Sequence, residues 1–417
     1  MRRCLYIDVD AGICEHRELP PELCACGGRA LSSLLAAMHP DSLCIAPGLL
    51  ADCRCASAGR CSVSCSDASG AVRHSNAGGT AGGALARAGL AAVVIRGASS
   101  AEPEERRVPL YDLVIGPSQT HLVPSSGGRE GVSERMRLLA ERWPDAAALI
   151  TAGNAGEALL PVASLSFSDH RLALSSHAGS GSGALLCRKG LRSLVILRAE
   201  GPEHAVDPQG LENAVRAFVR ILRERRAGAA ASVKGCTSAC VLACHENSSP
   251  AGRADGGKWP GHAEYWSMGD AERDDEDGRR FVRICDELGA DAFALGRLLM
   301  QATDAGQLAK GDAEAALREL ETLGMDPKAS ILHDAARHWQ SKKKRSAGGS
   351  ARQDMVMDCL GICRFAADAL EQSAEARAAV ADMVRCRYGW GAEALEAMAD
   401  RGLAAEEGTD VPVRREG

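Results

Sequence analysis

Asp207-Pro208-Gln209-Gly210-Leu211-Glu212-Asn213-Ala214-Val215-Arg216-Ala217-Phe218-Val219-Arg220-Ile221-Leu222 divides the chain into two kinds of sequence. An aspartate able to cap, then proline at the first helical position, opens a helix with Leu211, Val215, Phe218, Val219 and Leu222 on one face. Before it, short apolar runs alternate with glycine-rich turns, and Leu5 to Val9, Ala92 to Ile95, Ala147 to Ile150 and Leu194 to Leu197 read as strands. After it the apolar period lengthens. Phe281, Val282, Ile284, Cys285 and Leu288 predict a helix stopped at Gly289, and Leu317, Leu320 and Leu323 one stopped at Gly324. The expected class is α+β, a β-rich N-terminal domain over 1–205 followed by mainly α-helical domains over 206–300 and 301–417. Two stretches without a hydrophobic period, 245–258 and 341–353, read as surface loops.

Composition narrows the function. The chain has 417 residues, 46% of them apolar, enough for two or three packed units around a large interior. Its net charge of −6, with both signs interspersed, offers no basic face to nucleic acid, and Lys342-Lys343-Lys344-Arg345 is a short solvated run. No stretch approaches the roughly 18 consecutive apolar residues of a membrane span, and the N-terminus turns acidic before a signal peptide could form. A cytoplasmic protein is expected. There, 17 cysteines point to metal ligation and buried thiols rather than to disulfides.

Two segments echo one another: Asp286-Glu287-Leu288-Gly289-Ala290-Asp291 and Asp358-Cys359-Leu360-Gly361-Ile362-Cys363. Each sets a carboxylate before a helix-ending glycine, where an acceptor and exposed backbone groups can grip a flat heterocycle bearing N–H donors, such as a pterin. Taken singly, each also reads as an ordinary Leu-Gly helix end. A second feature is Cys236-Thr237-Ser238-Ala239-Cys240-Val241-Leu242-Ala243-Cys244, three thiols in one short segment, with Cys363 available as a fourth. Such a set suits an iron–sulfur cluster; a zinc site and a buried stripe of thiols are the alternatives.

With these motifs the chain resembles the aldehyde:ferredoxin oxidoreductase family, its C-terminal part shortened. The resemblance runs in order through Gly27-Gly28-Arg29-Ala30-Leu31, Leu43-Cys44-Ile45-Ala46-Pro47-Gly48, Ala58-Gly59-Arg60, Ser75-Asn76-Ala77-Gly78-Gly79, Gly153-Asn154-Ala155-Gly156-Glu157 and Gly183-Ala184 through Lys189-Gly190-Leu191-Arg192, then the cysteines and both Asp-x-Leu-Gly motifs. It implies an N-terminal domain that covers the pterins of a tungsten- or molybdenum-bis-pterin. Arg60, Asn76, Gly78 and Ala155 would contact the pterin phosphates and a Mg2+ ion between them. Asp286, Ala290, Asp291, Asp358, Ile362 and Cys363 would hold the pterin rings. Cys236, Cys240, Cys244 and Cys363 would ligate a [4Fe-4S] cluster.

The departures from the family pattern are local. Cys236-x-x-x-Cys240 replaces the usual Cys-x-x-Cys, the interval from Asp291 to Asp358 is shorter, and the family's histidine-bearing segment has no counterpart. Ala263-Glu264-Tyr265 resembles the family's Pro-Glu-Tyr-Glu, which makes Glu264 the candidate acid/base. His262, His333 and His338 could each stand in for the missing histidine, but a lone histidine is more often structural than catalytic, and none is singled out. The resemblance implies an oxidoreductase that interconverts a small aldehyde and its carboxylate and passes electrons to ferredoxin or a partner subunit; an oligomer is compatible with it. The alternative is a non-catalytic cofactor-binding or electron-transfer relative without the full substrate cavity.

Overall fold

A computed structural model describes residues 2–53, 55, 57–66, 71–97, 110–117, 119–201, 205–225, 236–242, 275–339 and 351–409. Two six-stranded sheets occupy the first half. The first takes β1 (Arg3–Asp8), β2 (Ile13–Glu18), β3 (Leu43–Pro47), β4 (Cys61–Ser66), β5 (Val72–Ala77) and β6 (Leu90–Arg96) in the order β2-β1-β6-β3-β4-β5. The second takes β7 (Tyr111–Ile115), β8 (Thr120–Pro124), β9 (Ala146–Ala152), β10 (Leu165–Ser168), β11 (Leu174–Ala178) and β12 (Leu191–Leu197) in the order β8-β7-β12-β9-β10-β11. Strand for strand the two orders are the same. In each sheet the first and last strands of the copy pair in parallel, β1 with β6 and β7 with β12.

The helices repeat the correspondence. α1 (Gly28–Met38) and α3 (Val132–Arg142) follow the second strand of each copy, and α2 (Ala81–Arg87) and α5 (Ser182–Arg188) precede the last; α4 (Asn154–Glu157) is a single turn after β9. Residues 3–96 and 111–197 are therefore two copies of one topology. Central strands such as Leu90–Arg96 are nearly continuous apolar runs because they are covered on both faces. The edge strand β2 carries Glu15, His16, Arg17 and Glu18, charges that discourage pairing with another chain.

The sheets pack face to face through Leu5, Ile45, Val93 and Ile95 on one side and Ile150, Leu165, Phe167 and Ile196 on the other. The described helices of the second half then group by core. α6 (Pro208–Arg225), Ala351–Leu360, Ala374–Tyr388 and Ala392–Glu407 close the outer face of the first sheet through Phe218, Leu360, Met383 and Met398. Asp275–Leu288, Ala292–Asp304 and Ala313–Met325 pack Phe281, Leu288, Leu295 and Leu320 against Ala155, Leu160 and Val162 of the second copy.

Three of the four strands read from the sequence lie within β6, β9 and β12, the fourth, Leu5 to Val9, overruns the end of β1 by one residue, and Asp207 caps α6 by accepting from the Gly210 amide at 2.9 Å. Two expectations need correction. Gly324 does not stop its helix, which runs on to Met325; a Cβ there would collide with Leu288 Cδ2, so this glycine serves helix packing. Residues 351–353, read as loop, begin the helix Ala351–Leu360. Residues 245–258 and 341–350 lie outside the described residues, and no disulfide joins the described cysteines. Among the described residues, no helix is long and apolar enough to cross a membrane.

Candidate functional site

Each Asp-x-Leu-Gly motif ends a helix and is gripped by one copy of the repeated topology. Gly289 and Gly361 adopt φ of +63° and +79°, the left-handed conformation that lets a helix end sharply. The Ser164 amide donates to the Gly289 carbonyl at 2.8 Å, and the Arg60 amide to the Gly361 carbonyl at 3.1 Å. Gly153, just after β9, lies so close to Leu288 and Gly289 that a Cβ would collide with the Leu288 carbonyl; Gly48, just after β3, stands in the same relation to Gly361. The residue after each leading aspartate caps the corresponding helix. Glu287 Oε2 accepts from the Ser133 amide at the start of α3 (3.1 Å), and Cys359 Sγ from the Ala30 amide at the start of α1 (3.3 Å). The sequence echo is thus a spatial one.

The two leading carboxylates have different partners. Asp358, largely buried, receives Arg60 Nη1 on Oδ1 at 3.1 Å and Arg29 Nη1 on Oδ2 at 3.2 Å. Asp286, more exposed, meets His177 Nε2 at 2.9 Å, and the His177 Nδ1 lies 3.0 Å from Ser166 Oγ. Ser166 has no exposed surface, so this Ser–His–Asp chain orients an imidazole and presents no nucleophile. His177 stands opposite Ser166 on β11 as Asn76 stands opposite Ser62 on β5, and the Ser62 hydroxyl donates to Asn76 Oδ1 at 2.6 Å. His177 and Asn76 are counterparts in the two copies.

Strands β5 and β11 bring the two halves together. The Gly179 amide donates to Ser75 Oγ at 2.9 Å, and Ser176 Oγ donates to the Gly78 carbonyl at 2.9 Å. Asp291 caps the helix Ala292–Asp304 through the Phe293 and Ala294 amides and approaches Gly179. On the other side, a Cβ on Gly78 would lie 3.9 Å from Cys236 Sγ, which places the cysteine segment against this junction. A hydrogen bond with Cys240, burial and the nearby Cys240 and Cys363 sulfurs all push the Cys236 thiol far up. Cys363 is fixed in turn by its amide, which donates to the Ser57 carbonyl at 2.6 Å. Three of the four thiols read from the sequence therefore gather at one place.

Of the other residues named from the sequence, Ala290 and Ile362 are buried in the core and can meet a ring only through their backbones. Ala155 is 2% exposed and packs with Phe281 and Leu288, on the side of the first motif's helix. Cys244, Glu264 and His262 lie outside the described residues. His177, Arg29 and Ser164 were missed as site residues. The signal for His177 was present: His177-Ala178-Gly179 leading to Gly183-Ala184-Leu185 echoes Asn76-Ala77-Gly78 leading to Gly83-Ala84-Leu85.

The residues fit a polar heterocycle at each turn and a cluster beside them. Ser164 Oγ and Ser57 Oγ, adjoining the first and second motif respectively, are buried hydroxyls with no hydrogen-bond partner. Buried hydroxyls are rarely left so, and a bound polar group would satisfy them. Among the described residues no three histidine, cysteine or acidic side chains converge as on a single metal ion.

Residues 4–198 match the family described as aldehyde ferredoxin oxidoreductase, N-terminal domain. No curated protein matches the chain. A solved structure described as the active site complex BamBC of benzoyl coenzyme A reductase in complex with 1,5-dienoyl-CoA has the same fold, with a TM-score of 0.66 over 97% of this chain and 88% of that one at 15% identity. But for Arg3 at the start of β1, the duplicated sheets and the glycine turns that grip the motifs lie within the residues that match this N-terminal domain.

Proposed function

We propose that the chain is an oxidoreductase that interconverts a small aldehyde and its carboxylate, using a tungsten- or molybdenum-bis-pterin held by the two motif turns and a [4Fe-4S] cluster held by Cys236, Cys240, Cys244 and Cys363. The observation that carries this reading is the pairing of the turns: each copy of the repeat grips one Asp-x-Leu-Gly motif, and an unpartnered buried hydroxyl adjoins each. When bound, the metal-pterin group supplies two-electron chemistry coupled to transfer of an oxo group.

The residues of the chain divide the remaining work. Asp286 and Asp358 offer carboxylate oxygens to ring N–H groups, a charge-assisted hydrogen bond. Arg29 and Arg60 hold Asp358 in place, and His177 holds Asp286. Asn76 and Gly78, at the junction of β5 and β11, would offer short backbone segments to the pterin phosphates and to a Mg2+ ion bound with them. Ser57 and Ser164 supply hydroxyls in buried surroundings. Glu264 is the proposed acid/base, and ferredoxin or an electron-transfer subunit the electron partner.

Anaerobic purification followed by metal, iron and pterin analysis and an aldehyde-dependent viologen assay tests the reading. Tungsten or molybdenum with about four irons per chain and aldehyde-dependent reduction support it. The full cofactor set with no reduction across a broad aldehyde panel replaces the enzyme with a cofactor-binding or electron-transfer relative. Zinc alone overturns the cofactor assignment.

A further inference from the structure

Glu406, near the end of the helix Ala392–Glu407, is joined to the second motif turn through one arginine. Arg29 Nε donates to Glu406 Oε1 at 2.8 Å and Nη2 to Oε2 at 2.7 Å, and the remaining Nη1 donates to Asp358 Oδ2 at 3.2 Å. Ser33 Oγ, one turn further along α1, adds a hydrogen bond to Glu406 Oε1 at 3.1 Å, and His74 Nδ1 lies 3.2 Å from the same oxygen. One carboxylate therefore ties together α1, the last described helix and β5, two residues before Asn76.

A guanidinium is planar, and its nitrogens are fixed relative to one another. Once two of them are clamped on Glu406, the direction of the third is set, and so is the attitude of the carboxylate that accepts from it. We propose that Glu406 is a positioning residue for the second pterin site: it orients Arg29, which holds the Asp358 carboxylate toward the ring. The proposal rests on the bis-pterin reading given above. Burial alone would push the Glu406 carboxyl up, but hydrogen bonds from Arg29 and His74, together with their charges, outweigh it and hold it at about 2. The clamp is thus anionic at neutral pH. The first site supplies the contrast, because Asp286 meets His177 in place of an arginine.

The test uses full-length protein purified anaerobically as wild type, Glu406→Gln, Glu406→Asp and Arg29→Lys. Pterin per chain is measured after oxidation to its fluorescent form, alongside iron per chain and the melting temperature. The wild type is expected to hold about two pterins and about four irons per chain. Glu406→Gln keeps the shape and loses the charge, and Arg29→Lys keeps the charge and loses the fork. Each should bring pterin down to about half in the folded fraction, with iron retained, and Glu406→Asp should recover part of the loss. Arg29→Lys keeps the question decidable should Glu406→Gln fail to fold. Pterin unchanged in both variants overturns the positioning role. Pterin and iron falling together with the melting temperature also overturns it, because that marks a helix that merely closes the fold. A wild-type protein devoid of pterin overturns the cofactor reading itself.

Discussion

His177 Nε2 lies 2.9 Å from Asp286 Oδ1, and its strand partner Ser166 holds the other ring nitrogen at 3.0 Å. In the first copy of the repeat the corresponding position is Asn76, paired with Ser62. An asparagine could donate to the same carboxylate without an imidazole. His177→Asn should therefore retain more pterin than His177→Ala. The Ala variant should lose a hydrogen bond worth about 1 kcal/mol, roughly fivefold in occupancy, a modest effect because the pair is partly exposed. Pterin content of the two variants at equal protein concentration decides it, and equal content would sink the role.

Asp286 and Asp358 should differ when each is replaced by Asn. Asp358 sits largely buried between two arginines, so its loss leaves Arg60 without its buried counter-charge and Arg29 with Glu406 alone. Breaking such a network costs about 3–5 kcal/mol. Asp286, more exposed and facing one histidine, should cost less than about 1 kcal/mol. Chemical denaturation of the two variants reads the difference, and equal midpoints would contradict it.

The acid limb of the stability curve should carry the mark of Glu406. Its carboxyl is held at about 2 in the folded chain, against 4.5 as the reference value. A depressed folded value stabilises above the unfolded one, so the contribution is full above about pH 4.5 and is lost as pH falls toward 2. Its size is about 3 kcal/mol. Glu406→Gln should lower stability at neutral pH by a comparable amount and flatten the slope between those limits. A pH series of urea midpoints measures it, and parallel curves for the two proteins would refute the assignment.

The glycines that touch the motif turns should tolerate nothing larger. Gly153→Ala would drive a methyl into the Leu288 carbonyl, and Gly48→Ala into Gly361. Each should cost more than about 3 kcal/mol, since backbone has no room to yield. Gly306→Ala is the control: its φ is +73°, but nothing lies near the added Cβ, so strain of about 1 kcal/mol is all that is expected. Melting temperatures of the three rank the effects, and a Gly306 variant as unstable as the others would remove the argument from contact.

Cys240→Ser should lower iron content and bleach the visible iron–sulfur absorbance, because its sulfur belongs to the Cys236–Cys363 group. Cys61→Ser is the comparison. Burial pushes the Cys61 thiol up to about 12, which keeps it a neutral core group. Its replacement should lower stability and leave iron per folded chain unchanged. Equal iron in the Cys240 variant and the wild type would remove the cluster assignment.

What the sequence shows of this fold is local. Asp207-Pro208 marks the helix start because capping and proline geometry act within one turn, and the central strands are visible because both their faces are buried. Gly324 misleads for the same reason: a packing glycine and a helix-ending glycine are the same letter, and only the distant Leu288 distinguishes them. The two Asp-x-Leu-Gly motifs are readable as a pair. Arg29 and Glu406 are not, since each acquires its role from a partner more than three hundred positions away. The duplication itself hides because the two copies share turns and topology while their apolar runs differ letter by letter.

The grips on the motif turns also set an order of events during synthesis. Gly153 and Ser164 await only Asp286–Asp291, whereas Gly48 and Arg60 await Asp358–Cys363. At about 5–20 residues per second, the stretch from Asp291 to Cys363 takes roughly 4–14 s to emerge. For that interval the nascent chain can close its first turn while its second remains open, the ends of β3 and β4 waiting for a helix not yet made. A half-made molecule can therefore settle one cradle early, but the thiol of Cys363 arrives with the second turn, so on the proposed reading the cluster and the second ring can be loaded only once that turn has been made.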